Sequence, residues 1–206
     1  MAVASNLKNM ALCLFTTCLV CSGVLAGVYA LTAAPIAETN AKLLRASIGA
    51  VLPEGGELSE AQEITVGGQP SEYYTLTEEG KTKAWAVKST VVGFGGPLTL
   101  MVGVTPDGTV YNTSVLSHQE TPGLGAKCNT DAHFMDQWKG FNTREKILTV
   151  KKDGGDVDAI TASTITSRAY ALAVKNAVDA LGDRIGADAV SGASVQPVNE
   201  EEPSDE

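Results

Sequence analysis

Cysteine and histidine are scarce in this chain of 206 residues, which contains 4 cysteines and 2 histidines. Three of the cysteines lie in one apolar run near the N-terminus, so Cys128 stands alone in the remainder. A lone cysteine forms no intradomain disulfide, and without a second cluster of Cys or His there is no iron–sulfur signature. Asp131, His133 and Asp136 fall on a predicted short surface helix, and we assign no metal to them.

Positive charge is also scarce, with 15 Lys and Arg against 24 Asp and Glu and a net charge of −9. No basic residue follows Arg184. Nucleic acids are polyanions that need a basic surface, so nucleic-acid binding is excluded as a function. Residues 186–206 are mostly Ala, Gly, Ser, Pro and acids without periodicity. They are predicted to form an acidic disordered tail.

One long apolar run is present near the N-terminus. Met10 to about Ala34 contains no charged residue, and at ~1.5 Å per residue it is long enough to cross a ~30 Å hydrocarbon core. Residues 1–35 are therefore predicted to be a membrane anchor in contact with lipid. A cleaved secretory signal peptide is the competing interpretation. Its apolar region usually spans only ~7–15 residues, which favours a retained anchor.

The remaining chain is long enough for one ordinary domain. Ala37 to Leu52 reads as an amphipathic helix ended by Pro53, so residues 36–58 are predicted to form a stalk helix and linker. This helix either extends or follows the membrane helix. Residues 59–185 then form the domain. Five segments have strand composition: Lys83–Val92, Leu98–Val104, Thr109–Leu116, Lys146–Lys152 and Val157–Ile160. The hairpin signal Pro106-Asp-Gly108 joins the second segment to the third.

A strong helix is predicted from Ser167 to Leu181, where apolar residues recur at helical spacing before Gly182. With several adjacent strands and few helices, the fold class is α+β, a mainly antiparallel sheet with flanking helices.

Small and hydroxylated residues are concentrated at the start of the predicted helix, in the segment Val157–Ser167. Free N–H groups and the helix dipole favour a phosphate there. Ser and Thr are also ordinary N-cap residues, and a hydroxyl could be a point of covalent attachment.

Two other segments are rich in glycine: Gly93-Phe-Gly-Gly-Pro97 and Ser117-His-Gln-Glu-Thr-Pro-Gly-Leu-Gly-Ala126. The first permits unusual backbone angles, and its N–H groups could face a ligand. In the second, His118 and Glu120 fit either a general acid/base pair or a structural role beside a turn.

Asp158-Ala-Ile-Thr-Ala-Ser-Thr-Ile-Thr-Ser167 resembles the flavinylation motif of the FMN-binding subunits of the Rnf and Nqr respiratory complexes, and the two glycine-rich segments resemble two more motifs of that family. The three occur in the family's order. The Gly-Phe-Gly-Gly-Pro version is more similar to the G subunit of Rnf complexes than to the C subunit of Nqr complexes. In the family the core after the Asp is Ser/Thr-Gly-Ala-Thr, and its last Thr carries FMN through a phosphoester bond.

The resemblance implies that Thr164 is the covalent FMN acceptor. This chain has Ala162 where Gly is usual and Ser163 where Ala is usual, which makes Ser163 a rival acceptor. The resemblance also implies a flavin transferase that moves FMN from FAD, other membrane subunits as partners, and a domain on the extracytoplasmic side of a bacterial-type cytoplasmic membrane.

The function so implied is a covalent-FMN electron carrier, without a complete active site of its own, in an ion-translocating ferredoxin:NAD oxidoreductase of the Rnf type. An FMN subunit of an Nqr-type NADH:quinone reductase is one alternative, and a membrane-anchored sensor or assembly module without redox turnover is another. Because a tethered flavin ring must be held in one orientation, the loop at Glu120, Thr121 and Leu124 is predicted to pack beside it.

Overall fold

A computed structural model describes residues 7–182 and 184–185, which form two compact units that divide between Arg45 and Ala46. Helix α1 spans Leu7–Val51. Its apolar window has a mean hydropathy of 2.2 and is entirely exposed, so by length and composition the helix can cross a membrane. The predicted stalk helix extends the predicted anchor, because one helix contains both, with Pro35 inside it. The predicted tail, residues 186–206, lies outside the described residues.

The second unit is built on an antiparallel sheet of 7 strands, which confirms the predicted α+β class. The spatial order is β1-β3-β4-β5-β6-β7, and β2 also pairs with β3. The strands are β1 (Glu57–Leu58), β2 (Gln62–Val66), β3 (Gln69–Glu78), β4 (Lys81–Val92), β5 (Pro97–Val104), β6 (Thr109–His118) and β7 (Phe141–Asn142).

Three predicted strands are confirmed as β4, β5 and β6, and the hairpin between β5 and β6 is closed by the Gly108 N–H, which donates to Thr105 O at 2.9 Å. Strands β2 and β3 were not predicted, because their polar residues hide the alternation that marks a buried strand.

The two strands predicted after residue 145 are wrong. Only one parallel bridge, Val150 to Val157, joins these segments, and Lys151–Asp153 form a 3-10 turn. The cause is the Gly154-Gly155 pair: Gly154 has φ 84°, and a Cβ on Gly155 would collide with the Thr149 carbonyl. The chain therefore folds back too tightly for ladders to extend.

The sheet is covered on both faces. Helix α3 (Thr164–Ala180) packs on one face through Tyr170, Val174 and Val178, as its sequence periodicity predicts. The last turns of α1 cover the other face, where a Cβ on Gly103 would collide with the Val51 carbonyl. A short helix α2 (Ala132–Asp136) begins at Asp131, whose carboxylate accepts hydrogen bonds from two N–H groups of the first turn. Capping explains this aspartate.

Candidate functional site

One pocket, of about 360 Å³, lies where the three glycine-rich or hydroxyl-rich segments meet. The segments are separated by tens of residues in sequence, yet each contributes to the pocket wall. The loop after β4 contributes Phe94. The segment after β6 contributes Glu120, Thr121, Leu124 and Gly125. The start of α3 and the turn before it contribute Ala162, Ser163, Thr164, Ile165 and Thr166. The structure thus brings all the predicted site residues together.

Helix α3 begins at Thr164, three residues before the predicted start, with Ser163 as the N-cap. The turn before it is fixed by Ser167, whose Oγ donates to Ser163 O at 3.0 Å and accepts from the Ile160 N–H at 2.9 Å. No side chain caps the helix. The N–H groups of its first turn have no carbonyl partner within the helix, so they and the dipole favour an anion at this end of the pocket.

The two candidate acceptor hydroxyls have different surroundings. Ser163 is only 7% exposed, and its Oγ has no hydrogen-bond partner among the described residues. Thr164 is half-buried, and its Oγ1 accepts a hydrogen bond from Lys152 Nζ at 3.5 Å. The Thr164 hydroxyl is therefore the more accessible of the two to an enzyme that would modify it.

Ala162, next to these hydroxyls, has a left-handed backbone with φ 64°. An alanine Cβ in this region costs about 1–2 kcal/mol relative to the right-handed region. Glycine has no such cost, which gives a physical reason for the glycine usual in the similar motif. The departure at Ala162 thus stores strain at the turn that leads into Thr164.

Replacing Ala162 with Gly is expected to raise the free energy of unfolding by about 0.5–1 kcal/mol, because relief of the strain exceeds the extra entropy of glycine in the unfolded chain. Urea unfolding of the full chain in detergent measures the change. Ala169→Gly, inside α3, is the control and is expected to lower stability by about 1–2 kcal/mol, because it lowers helix propensity and also removes a methyl group buried in the core. A loss of stability in both variants would show that Ala162 is not strained.

A single buried carboxylate links the three segments. Glu120 is 5% exposed; its Oε1 accepts from the Phe94 N–H at 2.8 Å, and its Oε2 accepts from the Thr166 hydroxyl at 2.8 Å. A Cβ on Gly93 or Gly125 would collide with this carboxylate. The two glycines are therefore required for the close approach of both loops to Glu120.

Two of the N–H groups in the Gly93–Pro97 turn are used within the protein, since Gly93 N–H donates to Gly96 O and Phe94 N–H to Glu120 Oε1, each at 2.8 Å. The backbone N–H of Glu120 donates to His118 Nδ1 at 3.3 Å. Of the two roles considered for the His118 and Glu120 pair, this geometry favours the structural one.

The mouth of the pocket is apolar. Leu124 is 45%, Ile165 52% and Phe94 66% exposed. Thr121 is also exposed, and its carbonyl closes the turn by accepting from the Leu124 N–H at 3.2 Å.

The Cys128 thiol lies near the Glu120 carboxylate. Burial of the thiol is the larger cause and the charge of Glu120 the smaller cause that together raise the pKa of Cys128 to about 11. The thiol therefore stays protonated at neutral pH.

The arrangement therefore combines an apolar rim, a reachable hydroxyl, an unpartnered buried hydroxyl and an anion-favouring helix start. A planar aromatic group with a phosphate fits this combination of surfaces. Three residues near the pocket, Ile165, Thr166 and Lys152, were not predicted as site residues. Ile165 and Thr166 could have been found from their closeness to Thr164 in the sequence. Lys152 lies 12 residues away from Thr164, and no local signal marks it.

Comparison with known proteins places these features in a family context. Residues 93–179 match a family model described as FMN-binding domain. The chain is 33% identical over 166 residues to the G subunit of the proton-translocating ferredoxin:NAD(+) oxidoreductase complex of Clostridium ljungdahlii, covering 79% of this chain and 85% of that one. It is 35% identical over 175 residues to the G subunit of the ion-translocating oxidoreductase complex of Vibrio cholerae, covering 78% and 83%. Among solved structures, NqrC of Shewanella oneidensis is 28% identical, with a TM-score of 0.41 over 52% of this chain and 54% of that one.

Proposed function

Because the chain belongs to the family of G subunits of the ion-translocating oxidoreductase (Rnf) complexes and contains their FMN-binding domain, we propose that it carries FMN covalently on Thr164 and passes electrons in a ferredoxin:NAD oxidoreductase complex. The observation that carries the proposal is the pocket in which the three motifs meet, with the accessible Thr164 hydroxyl on its wall.

Attachment is a phosphoryl transfer. The Thr164 oxygen attacks the phosphorus of the FMN half of FAD, the bond from that phosphorus to the AMP oxygen breaks, and the hydroxyl proton is released. A separate flavin transferase with a metal ion catalyses the step. Ser163 is a poor acceptor by comparison, because its hydroxyl is buried at the N-cap position.

Bound FMN supplies the electron chemistry, and this chain contributes attachment, orientation and shielding from water. The first turn of α3 stabilises the phosphate, and the Ser163 hydroxyl can donate to it. Leu124, Phe94 and Ile165 form the apolar surface available to the ring. Glu120 holds the two loops against α3, so these contacts keep one geometry.

The test is fluorescence of the denatured full chain under ultraviolet light after coexpression with a flavin transferase. A fluorescent band that survives denaturation is expected, because a phosphoester remains when the fold is lost. A chain without flavin under these conditions would contradict the proposal and favour a sensor or assembly module.

Replacing Leu124 with Asp is expected to leave flavin attached but to change its visible spectrum or reduction potential and to slow electron transfer, because a charge would replace the apolar contact. Absorbance spectroscopy and redox titration of the variant measure this. Leu58→Asp is the control, since Leu58 is comparably exposed at 47% but lies outside the pocket. If the Leu124 variant has the visible spectrum, reduction potential and electron-transfer rate of the wild type, the loop is only a structural turn and does not contact the flavin.

We further propose that α1 is retained as a single-pass anchor, that the domain is extracytoplasmic and that its partners are the other membrane subunits of the complex. The protein is expected to stay in the membrane fraction through alkaline washing, and a reporter fused after Glu206 is expected to be active outside the cytoplasm. A soluble mature chain that begins near Ala34 would disprove retention, and a reporter active only in the cytoplasm would disprove the orientation.

A further inference from the structure

A lysine stands beside the proposed attachment point. Lys152 Nζ donates to Thr164 Oγ1 at 3.5 Å from the 3-10 turn that precedes α3. The turn is held in place by Asp153, whose two carboxylate oxygens accept from the Arg168 guanidinium at 2.6 Å each. The backbone next to Lys152 is thus tied to Arg168 in α3, and the exposed Lys152 side chain lies within reach of Thr164.

The charges next to Lys152 are already paired. Lys151 bonds Asp158 at 2.8 Å, and Asp153 bonds Arg168. Among residues 7–182 and 184–185, Lys152 itself has no carboxylate within ion-pair distance, and its one polar side-chain partner is the Thr164 hydroxyl. A positive charge that forms no direct ion pair among the described residues thus lies at the hydroxyl that is proposed to carry a phosphate, while Asp153, which pairs with Arg168, is the acidic group that also feels this charge.

A second observation also indicates an anion here. Ser163 Oγ is buried on the pocket wall and has no hydrogen-bond partner within the part of the chain that the structure describes. A buried hydroxyl without a partner is unfavourable, and an acceptor bound in the pocket would relieve that cost. The N–H groups of the first turn of α3 have the same preference for an acceptor.

We propose that Lys152 is the counter-ion of the phosphodiester at Thr164 and a positioning residue for its formation. This inference rests on the proposed function. During attachment, negative charge develops on the phosphoryl oxygens as the bond to Thr164 forms and the bond to AMP breaks, and the ammonium group stabilises that charge. After attachment, the same group neutralises the single negative charge of the diester.

The first test is the initial rate of FMN attachment to the flavin-free full chain in detergent, with purified flavin transferase, Mg²⁺ and subsaturating FAD, followed by intact-protein mass spectrometry. Lys152→Gln is expected to slow attachment about three- to tenfold, an effect reduced by added salt. Lys152→Arg is expected to restore most of the rate. Lys175→Gln, which removes an equal charge from an exposed site further along α3, is expected to match the wild type.

The second test needs no flavin. Four flavin-free chains are compared: the Thr164→Glu and Thr164→Gln variants, each with Lys152 kept or replaced by Gln. If Lys152 binds an anion here, Lys152→Gln is expected to lower the melting temperature about 1–3 °C more in the Thr164→Glu background than in the Thr164→Gln background. A role in folding alone would lower both equally.

The outcomes separate the two proposals. A wild-type chain that acquires no FMN at Thr164 overturns the proposed function. A wild-type chain that acquires FMN, while Lys152→Gln shows the wild-type rate or no coupling to position 164, overturns the role of Lys152 alone.

Discussion

Replacing Thr164 with Ala is expected to abolish covalent flavin while the domain stays folded. The hydroxyl is the proposed acceptor, and its one side-chain contact among the described residues is the long hydrogen bond from Lys152. The stability cost is therefore expected to be below about 1 kcal/mol. Thr164→Ser keeps a hydroxyl and is expected to retain part of the flavin. Fluorescence of the denatured band measures attachment, and a thermal melt measures stability.

The matched control is Ser163→Ala, which removes the rival hydroxyl. Because that hydroxyl has no partner in residues 7–182 and 184–185, the variant prepared without flavin is expected to be as stable as the flavin-free wild type or more stable by up to about 1 kcal/mol. When it is coexpressed with the flavin transferase, the same variant is expected to acquire flavin. Flavin that persists in the Thr164→Ala chain and disappears in the Ser163→Ala chain would make Ser163 the acceptor and contradict our assignment.

Glu120→Ala is expected to be the most destabilising single change at the site, lowering the free energy of unfolding by about 2–4 kcal/mol. The substitution leaves the Phe94 N–H and the Thr166 hydroxyl without their acceptor and opens a cavity between two loops whose glycines have no side chains to fill it. Flavin attachment is expected to fall as well, because the pocket wall loses its common support. Urea unfolding and attachment assays of the full chain in detergent measure both effects.

Two further variants make this result interpretable. Glu120→Gln keeps the size of the side chain and one acceptor, so a smaller loss is expected. Glu63→Ala, at an exposed position of strand β2, is expected to change stability by less than about 0.5 kcal/mol. An equal effect of the Glu63 and Glu120 substitutions would show that the buried carboxylate does not hold the loops together.

The architecture could be predicted where burial leaves a regular pattern in the sequence. Helix α3 shows its buried face through Tyr170, Val174 and Val178, and strands β4 to β6 are marked by apolar runs with a turn signal between two of them. The segment after residue 145 misled the prediction because its apolar residues Val150 and Val157 are buried in the core on either side of a tight glycine turn and do not belong to a ladder. Strands β2 and β3 were missed because polar residues interrupt the apolar alternation along both.

The sequence predicts which segments form the candidate site, but not the hydrogen bonds that join them. Motif resemblance identified the segments around Phe94, Glu120 and Thr164. The bond from Thr166 to Glu120 spans 46 residues and depends on how α3 packs on the sheet, so no local pattern encodes it. Lys152 was assigned to a strand, which concealed its approach to Thr164. The strain at Ala162 became visible only in its backbone angle.

The central claim, covalent FMN on Thr164, is tested most directly by intact-protein mass spectrometry of the chain isolated from its native membrane, followed by peptide mapping. Our account predicts one added FMN, less one water, on the peptide that contains Thr164, and an intact α1. An unmodified mass, or FMN on a peptide without Thr164, would contradict it.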